Sequence, residues 1–142
     1  KEQIAEGSLG LEVTTSRIKL TFSSPILFDS GSADLKDSAR EVLNPVAASL
    51  MKMENKIIVE GHTDSARMLG RKFASNRELS IMRAFSVINY LVEKGVQPVR
   101  ITAYGYGEFH PAAPNDNDAN RLKNRRIEMI IMRQADVQEG KS

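Results

Sequence analysis

The sequence predicts an α/β (α+β) fold, a βαβαββ sandwich in which helices pack on a small mixed sheet. Two observations carry this. Apolar residues recur at helical spacing in two stretches of about four turns, Ala39 to Leu50 and Leu79 to Val92. Between and around them lie short apolar runs with the length of strands, and the alternation of the two kinds points to helices laid on a mixed sheet. The chain has 142 residues, which suits one domain.

The first sixteen residues are polar and show no sustained period, and they read as a lead-in. From Arg17, Ile18, Leu20 and Phe22 alternate with polar neighbours, the mark of a half-buried strand. Ser23, Ser24 and Pro25 break it, and Ile26 to Phe28 form an apolar patch before the turn-rich Asp29 to Ser32. Ala39, Val42, Leu43, Val46, Ala47 and Leu50 define a core-facing helix over about 36–52. Pro45 lies inside it and predicts a kink or a split. Ile57, Ile58 and Val59 read as a central strand covered on both faces.

Ser75 followed by Glu78 is a capping box, and Leu79, Met82, Phe85, Ile88, Leu91 and Val92 form the stripe behind it. Gly95 is placed to end that helix and Pro98 to block its continuation. A third strand follows over Val99 to Tyr104, then a Gly, Pro and Asn-rich stretch from Gly105 in which the glycines read as turn punctuation. Asp118 to Asn124 reads as a short helix and Ile127 to Met132 as the last strand. The folded domain is thus expected over 17–133, with a frayed tail over 134–142.

Composition excludes several function classes. Twenty Lys and Arg against eighteen Asp and Glu leave a net charge of +2, too small a field for a charge-driven nucleic-acid binder. Without Cys there is no disulfide, thiolate nucleophile or Cys-based zinc site. His62 and His110 are too few for a three-ligand metal centre without carboxylate help, so neither metal nor cofactor is expected. No run approaches the roughly 18 to 20 apolar residues of a membrane span. The chain begins at Lys1 without a signal-like segment and reads as a piece of something longer, with any anchor outside it.

The candidate site is a polar loop leaving the carboxyl end of the second strand, Glu60-Gly61-His62-Thr63-Asp64, the position where open α/β sheets collect ligands. On the following helix Asn76, Leu79 and Arg83 share one face, and Arg125 and Arg126 precede the last strand. A carboxylate and a guanidinium a few ångström apart complement a zwitterion, the guanidinium gripping a carboxylate and the aspartate an amine. The bland alternative is that Asp64 and Arg83 pair with each other or that Asp64 caps a loop. A second alternative is a hydrolase using Asp64, Glu60 or His62, since glycoside cleavage needs two carboxyls about 5 to 10 Å apart.

Gly61-His62-Thr63-Asp64, Asn76 to Ala84, Gly105-Tyr106-Gly107 with Pro111, and Asn124-Arg125-Arg126-Ile127-Glu128 occur in an order that resembles the OmpA/MotB-like peptidoglycan-binding domain over about Ile18 to Met132. The resemblance implies non-catalytic, non-covalent binding of the meso-diaminopimelate stem peptide. By it, Asp64 holds the ammonium side, Arg83 holds the carboxylate, Thr63, Asn76 and Leu79 shape the pocket, and Arg125 supports it. Phe73-Ala74-Ser75-Asn76 and the stretch from Gly105 to Asp116 are most similar to the flagellar stator branch of that family. This implies a periplasmic domain of an inner-membrane protein that works as a homodimer and meets a MotA-like stator subunit through a missing membrane segment. A general cell-wall anchor of an outer-membrane or envelope protein is the alternative. One departure stands out: five residues, Ser65 to Leu69, precede Gly70, lengthening the loop after Asp64.

Overall fold

The computed structural model describes residues 9–66 and 72–133. Five strands, β1 (Leu9–Val13), β2 (Arg17–Ser23), β3 (Ile57–His62), β4 (Ile101–Gly107) and β5 (Arg126–Met132), form one sheet in the order β1-β2-β5-β3-β4. The β3–β4 pair is parallel, and β1–β2, β2–β5 and β5–β3 are antiparallel. The sheet is therefore mixed, as the alternation of elements predicts.

Register lines up one apolar face. Phe22, Ile127 and Gly61 form one row across neighbouring strands, Leu20, Met129 and Val59 the next, and Ile18, Ile131 and Ile57 a third. Against these rows pack Ala39, Leu43, Ala47 and Leu50 of α2 (Ala39–Met51) and Ala84, Val87 and Leu91 of α3 (Asn76–Glu93). β5 is central because its other face is buried too, with Arg126, Glu128 and Ile130 all under 9% exposed. Two short α-helices, α1 (Ser24–Leu27) and α4 (Asp118–Asn124), and a 3-10 turn over Pro98–Arg100 complete the described structure, so that β4 starts at Ile101 and not at the expected Val99.

The ends of α3 follow the sequence signals. Ser75 Oγ accepts from Glu78 N at 3.0 Å, while the Glu78 carboxylate reaches back to the amide of Ala74. At the far end Gly95 takes φ +115°, its amide donates to Val92 O and that of Val96 to Leu91 O, both at 3.0 Å. These two bonds make a Schellman motif, which needs a left-handed residue at that glycine.

Three expectations require correction. The lead-in is not all linker: Leu9–Val13 is edge strand β1, joined to β2 through a turn in which Thr14 Oγ1 accepts from the amides of Ser16 and Arg17. Its alternation is only five residues long and contains Gly10, and Leu11 and Val13 stay more than half exposed because they lie at the sheet edge. Residues 1–8 and the tail over 134–142 fall outside the described residues. Second, of the kink or split expected at Pro45 the split does not occur: α2 runs through Pro45 as a single helix. Pro45 and Glu41, whose carbonyl loses its donor, are both exposed, so the site is open to solvent and the missing amide leaves no buried carbonyl unsatisfied.

The third correction concerns Gly105 and Gly107, which lie within β4 and not in a turn. A Cβ on Gly61 would come within 2.0 Å of Ser80 O, and one on Gly105 within 2.6 Å of Ile81 Cβ. These missing side chains let α3 rest directly on β3 and β4. Gly61→Ala should therefore destabilise the fold by at least about 3 kcal/mol in urea denaturation, since backbone must move to admit the methyl. Gly10→Ala, whose Cβ would meet only Thr21 Cβ at 3.7 Å, should change stability by less than about 0.5 kcal/mol.

Candidate functional site

The close seating of α3 brings its first turns to the carboxyl ends of β3 and β4. Gly107 has φ +60°, and a Cβ there would press on Arg77 at 3.1 Å. The Gly107 amide donates to Ser80 Oγ at 3.0 Å, and Ser80 Oγ donates to Arg77 O at 2.8 Å. The Thr63 amide donates to Gly107 O at 2.9 Å. The chain leaving β3 is thus tied to the end of β4 and, through Ser80, to the helix.

Beside this junction lies a pocket of about 590 Å³. Thr63, Asp64, Asn76, Leu79, Arg83 and Arg125, the six residues singled out from the sequence, all line it. Asp64 is 8% exposed; its Oδ1 accepts from the Ala66 amide at 3.0 Å and its Oδ2 lies 3.5 Å from Arg125 Nε. Among the described residues the ion-pair partner of Asp64 is therefore Arg125 and not Arg83. Thr63 Oγ1 donates to Asp64 O at 2.8 Å, and Asn76 Nδ2 donates to Ala66 O at 3.0 Å and to Glu108 Oε1 at 3.2 Å. Asn76 is in effect a brace for the loop that carries Asp64. Residues 67–71, which hold most of the lengthened loop, lie outside the described residues.

Arg83 is buried and already fixed. Its Nε donates to Ser32 O at 2.8 Å, its Nη2 donates to Asp29 O at 3.1 Å, and the guanidinium sits 5.0 Å from the centre of the Phe28 ring. Burial, and after it the positive charge of Arg125, lower its pKa to about 10, so it stays a cation at neutral pH. Leu79, 5% exposed, supplies an apolar wall. The other wall comes from Ser24, Pro25, Phe28 to Gly31 and Lys36, residues that sequence reasoning missed. Their local signal, a Ser-Pro break and a turn-rich run, marks a loop without saying what it faces.

Arg125 and Arg126 part company. Arg126 belongs to β5 and turns to the helix-free face of the sheet, where its Nε donates to Glu128 Oε2 at 2.6 Å and its Nη2 to His110 O at 2.9 Å. On that face His62 Nε2 lies 3.0 Å from Glu60 Oε1, and the Tyr106 ring stacks on those of both His62 and His110. One potential ligand atom from each of Glu60, His62 and Glu128 falls within 4.8 Å of the others. Arg126 and Lys19, the latter 3.8 Å from Glu128, already balance that charge, so the cluster works as an ion-pair lattice. Glu60 belongs to this lattice and Asp64 to the pocket wall, so the two carboxyls considered for a hydrolase do not share one opening.

Burial pushes the Glu128 carboxyl upward. The hydrogen bond and charge of Arg126, with His62 and Lys19, more than offset this and hold it below the usual range. Because the folded state keeps this pKa below the unfolded value of about 4.3, its contribution is in place above that pH and is lost as pH falls through the folded value. Glu128→Gln should lower stability by about 2 kcal/mol at pH 7. The gap from the parent, followed by urea denaturation, should shrink steadily below about pH 4.

Comparison with known proteins agrees with this architecture. The OmpA family matches residues 27–125. Motility protein B of Bacillus subtilis is 33% identical over 137 residues, covering 93% of this chain and 51% of that protein. The chain thus spans about half the length of this curated relative. Among solved structures, the cell wall anchor of the T6SS from Pseudomonas aeruginosa superposes with a TM-score of 0.85 at 29% identity, covering 89% of each chain. The periplasmic domain of Helicobacter pylori MotB (residues 78-256) gives 0.83 at 29% identity, covering 94% of this chain and 87% of that one.

Proposed function

The chain belongs to the OmpA family, and from that premise we propose that it is a non-catalytic module that binds peptidoglycan through the diaminopimelate of its stem peptide. One observation carries the reading: a single pocket presents a buried carboxylate, Asp64, and an immobilised guanidinium, Arg83. The free end of diaminopimelate carries an ammonium and a carboxylate. Asp64 receives the ammonium, and Arg83 receives the carboxylate through Nη1, which among the described residues makes no hydrogen bond.

Arg83 is held by two carbonyls and an aromatic ring before any ligand arrives, so little side-chain entropy is lost on binding. Leu79 and Phe28 exclude water and strengthen each charge-assisted bond. Arg125, whose Nε lies 3.5 Å from Asp64 Oδ2, stands beside the carboxylate that takes the ammonium.

The similarity to Motility protein B extends over 93% of the chain and favours a stator anchor, a periplasmic domain fixing a flagellar motor complex to the wall. The homodimer and a MotA-like partner belong to that same reading. The superposition on a T6SS cell wall anchor, at a TM-score of 0.85, supports the second reading, an anchor for a different envelope assembly. Both use the pocket in the same way.

Co-sedimentation with purified sacculi tests the shared core of the two readings. Asp64→Ala should weaken binding by about 2 to 5 kcal/mol because the ligand's ammonium then has no counter-charge. Its melting temperature should stay close to the parent's, since the one amide it abandons is that of exposed Ala66. A folded Asp64→Ala protein that sediments as the parent does would overturn the proposal.

A further inference from the structure

The pocket wall holds polar groups that the Asp64 and Arg83 pairing leaves unused. Ser24 is 3% exposed, and its Oγ is buried without a hydrogen-bond partner among the described residues. Buried hydroxyls are normally paired, so a solitary one in a pocket wall marks a place where a ligand atom belongs. Arg125 Nε is in the same condition: its ion pair with Asp64, at 3.5 Å, is too long to satisfy the N–H. The Ser24 amide donates to Arg125 O at 2.9 Å, which ties the two residues together. Lys36, half-buried in the same wall, spends one N–H on Pro25 O at 2.9 Å, next in sequence to Ser24, and an ammonium has three to give.

Charge points the same way. Among the described residues three cations line the pocket, Lys36, Arg83 and Arg125, against two anions, Asp29 and Asp64. A zwitterion is neutral and leaves this excess of one positive charge untouched. A ligand with one further carboxylate removes it.

We propose that Ser24, Lys36 and Arg125 form a second anion subsite of the pocket, which takes a second carboxylate of the bound peptide. The proposal rests on the peptidoglycan reading and sharpens its ligand class from a zwitterion to a zwitterion with an additional free carboxylate. Ser24 donates its hydroxyl proton, Arg125 its Nε–H and Lys36 an ammonium proton. A carboxylate beside Arg125 also relieves the repulsion that Arg125 exerts on Arg83.

Isothermal titration calorimetry with the whole chain and two synthetic tripeptides tests this. Both peptides end in meso-diaminopimelate with its zwitterionic end intact; one has a free main-chain carboxylate and the other an amide there. The parent should bind the amidated peptide about tenfold more weakly, the usual worth of a carboxylate's charge-assisted bonds. Lys36→Met, which keeps the aliphatic stem, and Ser24→Ala should each bind both peptides but reduce that preference, and the double variant should discriminate less than about twofold. Two folded single variants guard against a loss caused by misfolding. If the parent binds both peptides equally and Asp64→Ala binds neither, the second subsite is wrong while the zwitterion reading stands. If the parent binds neither peptide, the reading of the pocket falls and the subsite with it.

Discussion

The seating of α3 on a glycine-lined patch of β3 and β4 is the constraint from which the rest of the molecule follows. Layers packed on a sheet are normally held off by the side chains between them, about 10 Å where the second layer is another sheet. Here Gly61, Gly105 and Gly107 contribute none, and Ser80, Ile81 and Arg77 respectively fill the space. That contact fixes both the height and the rotation of the helix, because only one face can lie against bare backbone. With Ser80 and Ile81 in place, Asn76, Leu79 and Arg83 come to line the pocket at the end of β3 where Asp64 emerges. Packing that is structural at Ser80 is therefore what assembles the charges of the site.

Those charges are expensive features for a small domain. A guanidinium taken out of water must be compensated locally, and Arg83 is compensated by two carbonyls and a ring, with no carboxylate partner among the described residues. If the arginine served stability alone, an apolar residue of similar volume would do as well. Holding a cation with neutral groups keeps its charge available to something that arrives later. Asp64 is the opposite case, an anion given a loose partner at 3.5 Å and a backbone amide, so that its charge is tempered and still accessible.

Much of this was legible in the sequence. The four principal strands and both long helices follow from apolar period, and the ends of α3 follow from Ser75, Glu78 and Gly95, because these signals are local. The buried face of α3 does not follow its expected stripe: Met82 and Phe85 are exposed, and Ser80, Ala84 and Val87 are buried instead, since the glycine patch beneath selects small residues there. Asp64, Arg83, Asn76, Leu79, Thr63 and Arg125 could be named because they occur in an ordered set of motifs. The wall from Ser24 to Lys36 could not, since Arg83 meets Ser32 and Asp29 across 51 and 54 residues of chain and no periodicity records such a contact. Gly105 and Gly107 were misread for a related reason: a glycine that admits a distant helix looks the same in sequence as one that admits a turn. β1 escaped because an edge strand with an exposed apolar side has little burial to impose a pattern.

The helix-free face of the sheet bears on the pocket through register. Successive residues of a strand point to opposite faces, so a slip of one position in β5 would exchange Arg125 and Arg126. The Arg126 guanidinium is held by Glu128 Oε2 and His110 O, and the Arg125 carbonyl by the amide of Ser24. A slipped strand would leave Glu128 without its buried partner and would carry an arginine into the apolar row formed by Phe22, Ile127 and Gly61. Each consequence is far more costly than the exchange of one apolar residue for another. The ion pairs that look like a second site are thus better understood as the lock that keeps Arg125, and not its neighbour, facing the ligand.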